Sequence, residues 1–266
     1  MSQESHQTMN TEKQYTYLLI APVAWNTGKL LQDYLADRGV VTHTFLPGVL
    51  STHDAVVCYG YGGPSSLERS LNGRCGTSKI ERLKSMYARG VKTVPWFSKD
   101  EGAYGKITYP LLARKTNGHG GEDIVPVFQA EEVGWRKQAG WTWFSSYIPV
   151  ESEYRIWVFR DAVFGGYEKV MKRPEDYKYI GRNYRNGFEF AHCAVDGNLV
   201  QLALSAVKAC NLDFAAVDIL VGKDGARYVL EVNTAPGVIR SGAQKTLGML
   251  ADYIVKWLQE GCQTRG

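Results

Sequence analysis

Hydrophobic and polar positions change period several times along the chain. Residues 15–22 (YTYLLIAP) alternate and then run apolar, the pattern of a strand buried in a sheet. Over residues 27–38, Leu30, Leu31, Tyr34 and Leu35 recur at helical spacing until Gly39 closes the segment. Residues 55–59 are again strand-like and lead into Gly-Tyr-Gly-Gly-Pro, a run that must turn. Ser78 stands where an N-cap would, ahead of Ile80, Leu83, Met86 and Tyr87. The spacing carries this helix to Gly90, and residues 91–97 return as a strand. Strand, helix, strand, helix, strand is most simply buried by parallel βαβ winding, so residues 15–100 are expected to form a small α/β domain. The polar residues 1–14 read as a flexible tail.

From Tyr109 the texture becomes hairpin-like. Strands are expected over 110–115, 124–129, 141–148, 154–159 and 163–171, with a glycine-rich turn at 117–121 and another at Arg160-Asp161. Residues 199–210 and 242–259 read as helices. With these strands and helices after the first domain, the chain is read as α+β.

Composition narrows the class without choosing a function. The 266 residues, 44% apolar and 22% charged, suffice for one large or two small cores. No apolar run approaches the roughly 20 residues of a membrane span, and the N-terminus lacks a signal-peptide core, so a cytoplasmic location is expected. Five cysteines, Cys58, Cys75, Cys193, Cys210 and Cys262, are odd in number and lack C-x-x-C spacing, against both a disulfide framework and a zinc site. The net charge of +4 suits an anionic small ligand as well as nucleic acid.

The chemistry concentrates in residues 214–237, FAAVDILVGKDGARYVLEVNTAPG. Two β-branched runs flank Asp224-Gly225, the signal of a two-residue hairpin turn. That turn sets Asp218 opposite Glu231, Ala216 opposite Asn233, Val217 opposite Val232 and Ile219 opposite Leu230, so that Asp218, Glu231 and Asn233 share one face. Two carboxylates about 5 Å apart repel by roughly 3 kcal/mol at an effective dielectric near 20, which a bound cation removes. Carboxylate and amide oxygens suit Mg²⁺ together with phosphate and water. A solvated sheet face, with each acid paired to a lysine or arginine, has the same spacing, and spacing alone leaves both open.

The stretches VDIL and EVNTAPG resemble the last, metal-binding hairpin of ATP-grasp enzymes, above all ribosomal-protein glutamate ligases, glutathione synthetases and D-alanine ligases. The upstream order also resembles theirs: a small α/β domain, a lysine-bearing strand before a glycine-rich loop, a hinge strand and an arginine-bearing strand. The resemblance covers about residues 75–255, with the first domain matched in outline. It implies an ATP-grasp fold in which subdomains 101–150 and 151–262 sandwich ATP. It also implies Mg²⁺, as two ions with Mn²⁺ an alternative, held by Asp218, Glu231 and Asn233. By the same resemblance Lys115 binds phosphate, and Gly118, His119, Gly120 and Gly121 form a loop that orders and closes on nucleotide. Lys79 looks like the family's earlier lysine, with Lys99 as an alternative. Tyr147 and Ile148 match the hinge that addresses adenine; where many relatives carry an acid this chain has Ser146, leaving Glu153 for the ribose. Arg155 would face the transferring phosphoryl group, Arg182 and Asn183 phosphate or substrate, and Lys169 and Arg240 a substrate carboxylate.

The activity so implied is ligation, in which a small-molecule carboxylate, an amino acid among the candidates, becomes an acyl phosphate and is joined to an amine. The amine belongs to a small molecule, peptide or protein. An ATP-grasp kinase acting on a hydroxyl group, and a non-catalytic nucleotide-binding protein, are the alternatives. Nucleic acid is the less favoured partner, because Trp135, Trp141 and Trp143 in a β-rich region read more simply as core.

Overall fold

The structure is a computed structural model, described here over residues 15–44, 54–62, 69–73, 75–115, 124–177, 180–238 and 243–263. Three sheets follow one another along the chain. The first contains β1 (Thr16–Ile20), β2 (Thr42–His43), β3 (Ala55–Tyr59) and β4 (Ser70–Leu71), all parallel in the order β2-β1-β3-β4. Helix α1 (Trp25–Ala36) follows β1 and buries the stripe of Leu31 and Leu35 that its sequence spacing announces. The expected tail, 1–14, lies outside the described residues.

Helix α2 (Lys79–Ala88) begins in a capping box of Ser78 and Glu81 and buries Leu83 and Met86. The strand expected after it, over 91–97, does not complete the first sheet. It is reduced to β5 (Trp96–Ser98), which pairs antiparallel in the second sheet. Two features account for this. The free edge of β3 is already taken by β4, and α2 packs on the third sheet's last strand and on the helix that precedes that sheet's final hairpin, which turns the chain away from β3.

The second sheet adds β6 (Ala103–Tyr104), β7 (Leu111–Arg114), β8 (Ile124–Val127) and β9 (Trp143–Ser146), antiparallel in the order β6-β5-β9-β7-β8. Its core is small: Leu111, Ala113, Val127 and Phe144 are buried on one face. Helix α3 (Ala130–Gln138) follows β8 and was not visible in the apolar pattern, because none of its residues is buried. Its start is fixed by Glu132, which accepts the backbone N–H groups of Phe128 and Gln129 at 3.1 Å.

The third sheet is antiparallel and holds β10 (Val150–Phe159), β11 (Ala162–Met171), β12 (Phe188–His192), β13 (Phe214–Gly222) and β14 (Arg227–Asn233) in the order β12-β11-β10-β13-β14. Helix α4 (Gly197–Ala209) covers one face with Leu199, Ala203, Ala206 and Val207, against Ile156, Val217 and Val232. Helix α5 (Gln244–Gln259) and the first sheet cover part of the other face, over Trp157, Phe214 and Ala216. That second face changes character along its strands. Under α5 it is apolar, and further along it carries Glu153, Arg155, Lys169 and Asp218. This charged end is the floor of a cleft roofed by the second sheet. No helix among the described residues is long and apolar enough to cross a membrane.

Candidate active site

The β13–β14 hairpin delivers the acidic residues to the cleft by a route different from the expected one. Gly222 and Ala226 close a three-residue loop, Lys223-Asp224-Gly225, with Gly222 N–H donating to Ala226 O at 2.8 Å and Gly225 at φ +76. The ladder leaving this loop pairs Val221 with Arg227 and Ile219 with Val229, one residue off the two-residue-turn register; the expected Ile219–Leu230 pair is not formed. A bulge between Asp218 and Ile219 then takes up Leu230 as an extra residue, and Asp218 faces Glu231, Val217 faces Val232 and Ala216 faces Asn233. Without the bulge, Glu231 and Asn233 would fall on the face of Val217, which is fully buried under α4.

The charges on the cleft floor form one connected network. Arg155, directly across the ladder from Asp218, holds it with both prongs: Nε donates to Oδ1 at 2.7 Å and Nη2 to Oδ2 at 2.8 Å. Lys169 on β11 donates to the same Oδ2 at 2.9 Å and to Glu153. Lys79, first residue of α2, donates to Glu231 Oε2 at 3.0 Å. Burial by itself would raise the Asp218 carboxyl, but Arg155 and Lys169 together hold it far below the usual carboxylate range. Glu231 is held below its ordinary value chiefly by Lys79. Lys169 stays protonated above its ordinary range because Asp218 and Glu153 outweigh its burial.

The cleft encloses about 540 Å³ and collects most of the expected site residues. Its floor presents Glu153, Arg155, Lys169, Asp218, Glu231 and Asn233. Tyr147 and Ile148 lie where β9 passes into β10, and Lys79, Lys115, Arg182 and Asn183 stand at other walls. Arg182 donates to the carbonyls of Val150 and Glu151 at 3.3 and 3.4 Å. Gly118, His119, Gly120, Gly121 and Arg240 lie outside the described residues, as does the expected turn at 117–121. Sequence reasoning missed Arg82, Arg114, Trp96 and Trp143, which also line the cleft. Arg114 was legible by alternation, since it shares a strand face with Leu112, whereas the tryptophans were indistinguishable from core.

A hard divalent cation fits the donor set. The described residues contain no group of three His, Cys, Asp or Glu that could hold a metal alone. Asp218 and Glu231 oppose each other, however, and Asn233 follows on the same face. Asn233 Oδ1 accepts from Ala235 N–H at 3.0 Å and keeps a second lone pair. Two carboxylates and an amide leave the remaining positions of an octahedral ion to phosphate oxygens and water.

Residues 145–258 match the family described as the RimK-like ATP-grasp domain. D-alanine--D-alanine ligase B of Clostridium perfringens is 25% identical over 194 residues, 67% of this chain and 62% of that protein, so the chain spans less than two thirds of that relative. Among solved structures, ATP-grasp ligase PsnB, complexed with a phosphomimetic variant of its minimal precursor, Mg and ADP, superposes with a TM-score of 0.65 at 14% identity, covering 91% of this chain and 97% of that one. D-alanine--D-alanine ligase from Bacillus anthracis complexed with ATP gives a TM-score of 0.62 at 14% identity, covering 94% and 97%. At such identities the structural likeness speaks for the fold.

Proposed function

Since the chain has the ATP-grasp fold, we propose that it is a Mg-ATP-dependent ligase that activates a carboxylate as an acyl phosphate and joins it to an amine. The observation that carries this reading is the opposed Asp218–Glu231 pair, with Asn233 beside it, in a cleft whose walls also carry Lys79, Arg114, Arg155, Lys169 and Arg182. An arrangement rich in cations around a divalent-metal donor set suits a polyphosphate held with its metal. The relatives point the same way, being named as ligases, one of them with Mg and ADP.

In this reading the carboxylate oxygen of the substrate attacks the γ-phosphorus, and the bond to the β,γ-bridging oxygen breaks to release ADP. The amine nitrogen then attacks the acyl carbon, phosphate leaves, and the amine proton passes to solvent. Mg²⁺, held by Asp218, Glu231 and Asn233, would supply charge neutralisation to the phosphates. Arg155 is fixed in place by two bonds to Asp218 and presents its remaining donors to the transferring group. Lys169 is anchored between Glu153 and Asp218 and orients both. Tyr147 and Ile148 offer the base their backbone, and subdomains 101–150 and 151–262 close on the nucleotide from either side. Water is kept from the acyl phosphate by that closure. The carboxylate is that of a small molecule such as an amino acid, the acceptor an amine of a small molecule, peptide or protein, and the setting the cytoplasm.

The test is release of ADP from Mg-ATP in the presence of pooled amino acids and small carboxylates. Wild type is expected to show carboxylate-dependent release, and Glu231→Gln to lose it by roughly 100-fold or more. Equal rates in the two proteins would contradict the metal assignment.

A further inference from the structure

Strand β14 is the last of its sheet, and the stretch that presents Glu231 and Asn233 to the cleft has no further strand beside it among the described residues. Before the bulge at Leu230, Val229 is steadied by the segment that leads from α2 to β5: its N–H donates to Lys92 O at 2.9 Å, and Thr93 bridges to it. After the bulge the support comes from a side chain. Val232 stands between Glu231 and Asn233, and its carbonyl accepts from Nη1 of Arg82, on α2, at 2.6 Å. The same guanidinium turns back on the start of its own helix, with Nε and Nη2 donating to Thr77 O at 3.2 and 2.7 Å. Thr77 and the N-cap Ser78 immediately precede Lys79, whose Nζ reaches Glu231.

The packing around this contact is loose. A cavity of about 30 Å³ lies between α2 and β14, bounded by Arg82, Leu83, Met86, Leu230 and Glu231. Interior packing fixes an element only where atoms interlock, and a void forfeits those contacts. Leu83 and Met86 hold α2 on the core, but apolar burial is non-directional and does not by itself set the helix against the strand. Hydrogen bonds are directional, and those from a charged donor are among the strong ones. Three of the five guanidinium donors of Arg82 are engaged, so one rigid plane joins two carbonyls from different elements.

We infer that Arg82 is a positioning residue for the metal end of the cleft: by joining Val232 O to Thr77 O it sets Glu231, Asn233 and Lys79 relative to one another, and it acts through these residues without holding phosphate or metal. The inference rests on the reading of Asp218, Glu231 and Asn233 as metal ligands. Magnesium demands near-ideal octahedral geometry, so a small displacement of the β14 edge is felt in its binding. Groups behind the ligands accordingly carry a large share of metal affinity. Loss of Arg82 releases the Val232 carbonyl and unties the start of α2 from β14, and the deficit falls on whatever part of ligand binding depends on the metal.

Calorimetric binding of ATP to the full chain and its variants, once with magnesium and once in EDTA, tests this. Wild type should bind ATP more tightly with magnesium. Arg82→Met should weaken binding roughly 10-fold or more with magnesium and less than about threefold in EDTA, whereas a merely structural role would weaken both alike. Arg82→Lys, which keeps the charge and a donor for either carbonyl, should recover part of the loss. Arg89→Met removes an exposed charge from the other end of the same helix and should change each measurement by less than about twofold. In a Glu231→Gln background, Arg82→Met should add less than about threefold, because the two residues act on one site. If Arg82→Met does not fold, as judged by its thermal melt, Arg82→Gln serves in its place. A loss equal with and without magnesium, or no loss in either, would overturn the inference while leaving the metal site standing. Wild type that binds ATP no better with magnesium than in EDTA would overturn the metal reading as well.

Discussion

Asp218 accepts three charge-assisted hydrogen bonds, two from Arg155 and one from Lys169, on a floor where its own side chain is 8% exposed and that of Arg155 14%. Removing Arg155 leaves Asp218 with Lys169 as its remaining cationic partner in low dielectric, so Arg155→Met is expected to cost about 2–3 kcal/mol of stability, read by chemical denaturation, besides abolishing turnover. The same network sets a pH dependence. Folding holds Asp218 and Glu231 below their ordinary values, so the unfolded chain binds more protons as the pH falls. Their contribution is complete above about pH 4 to 4.5, the unfolded range, and is lost as acid protonates the folded carboxylates. The melting temperature of wild type should thus fall steeply below about pH 4, and that of Asp218→Asn less steeply over the same interval.

At the scale of elements, the segment bearing Arg182 and Asn183 is tied to the end of β11 through one glycine. Gly187 O accepts the N–H groups of Lys172 and Arg173 at 2.8 and 3.1 Å, its φ is +81, and a Cβ there would lie 1.9 Å from the Arg173 carbonyl oxygen. Gly187→Ala should cost roughly 2 kcal/mol or more in a denaturant titration and lower nucleotide affinity by displacing Arg182. That segment was legible only by resemblance, because it has no apolar period. The helices α1, α2, α4 and α5 were legible because each has a stripe to bury, while α3 has none. The site hairpin was read correctly at Asp218, Glu231 and Asn233 for an incomplete reason: a three-residue loop and a bulge offset each other, and Leu230 gives no local sign that it will bulge. Strand β5 was assigned to the wrong sheet because pairing partners are decided by where α2 docks, which local pattern does not encode.

Across the whole molecule, the first and third sheets share large cores, with Leu18, Val57 and Leu71 packed in the same cluster as Trp157, Phe214 and Leu250. Asn72 strengthens that union by accepting the N–H groups of Asp213 and Phe214 at 2.7 and 3.1 Å. Among the described residues, the face of the second sheet turned from the cleft packs a cluster of four buried hydrophobics, so this sheet is expected to be the least stable of the three layers. Amides of β7 and β8 should exchange faster than those of β10 and β13, and Mg-ATP should slow them. A ligand bound at 100 times its dissociation constant adds about 2.7 kcal/mol, which in a chain this long should raise the melting temperature by roughly 5–10 °C. The central claim, that a carboxylate is phosphorylated in this cleft, is tested most directly by trapping. The protein is incubated with Mg-ATP, pooled carboxylates and hydroxylamine, and hydroxamate is measured for wild type and Glu231→Gln. Hydroxamate that requires both ATP and a carboxylate, and vanishes in the variant, is the predicted result; ADP release stimulated by carboxylates with no hydroxamate formed would contradict an acyl phosphate intermediate.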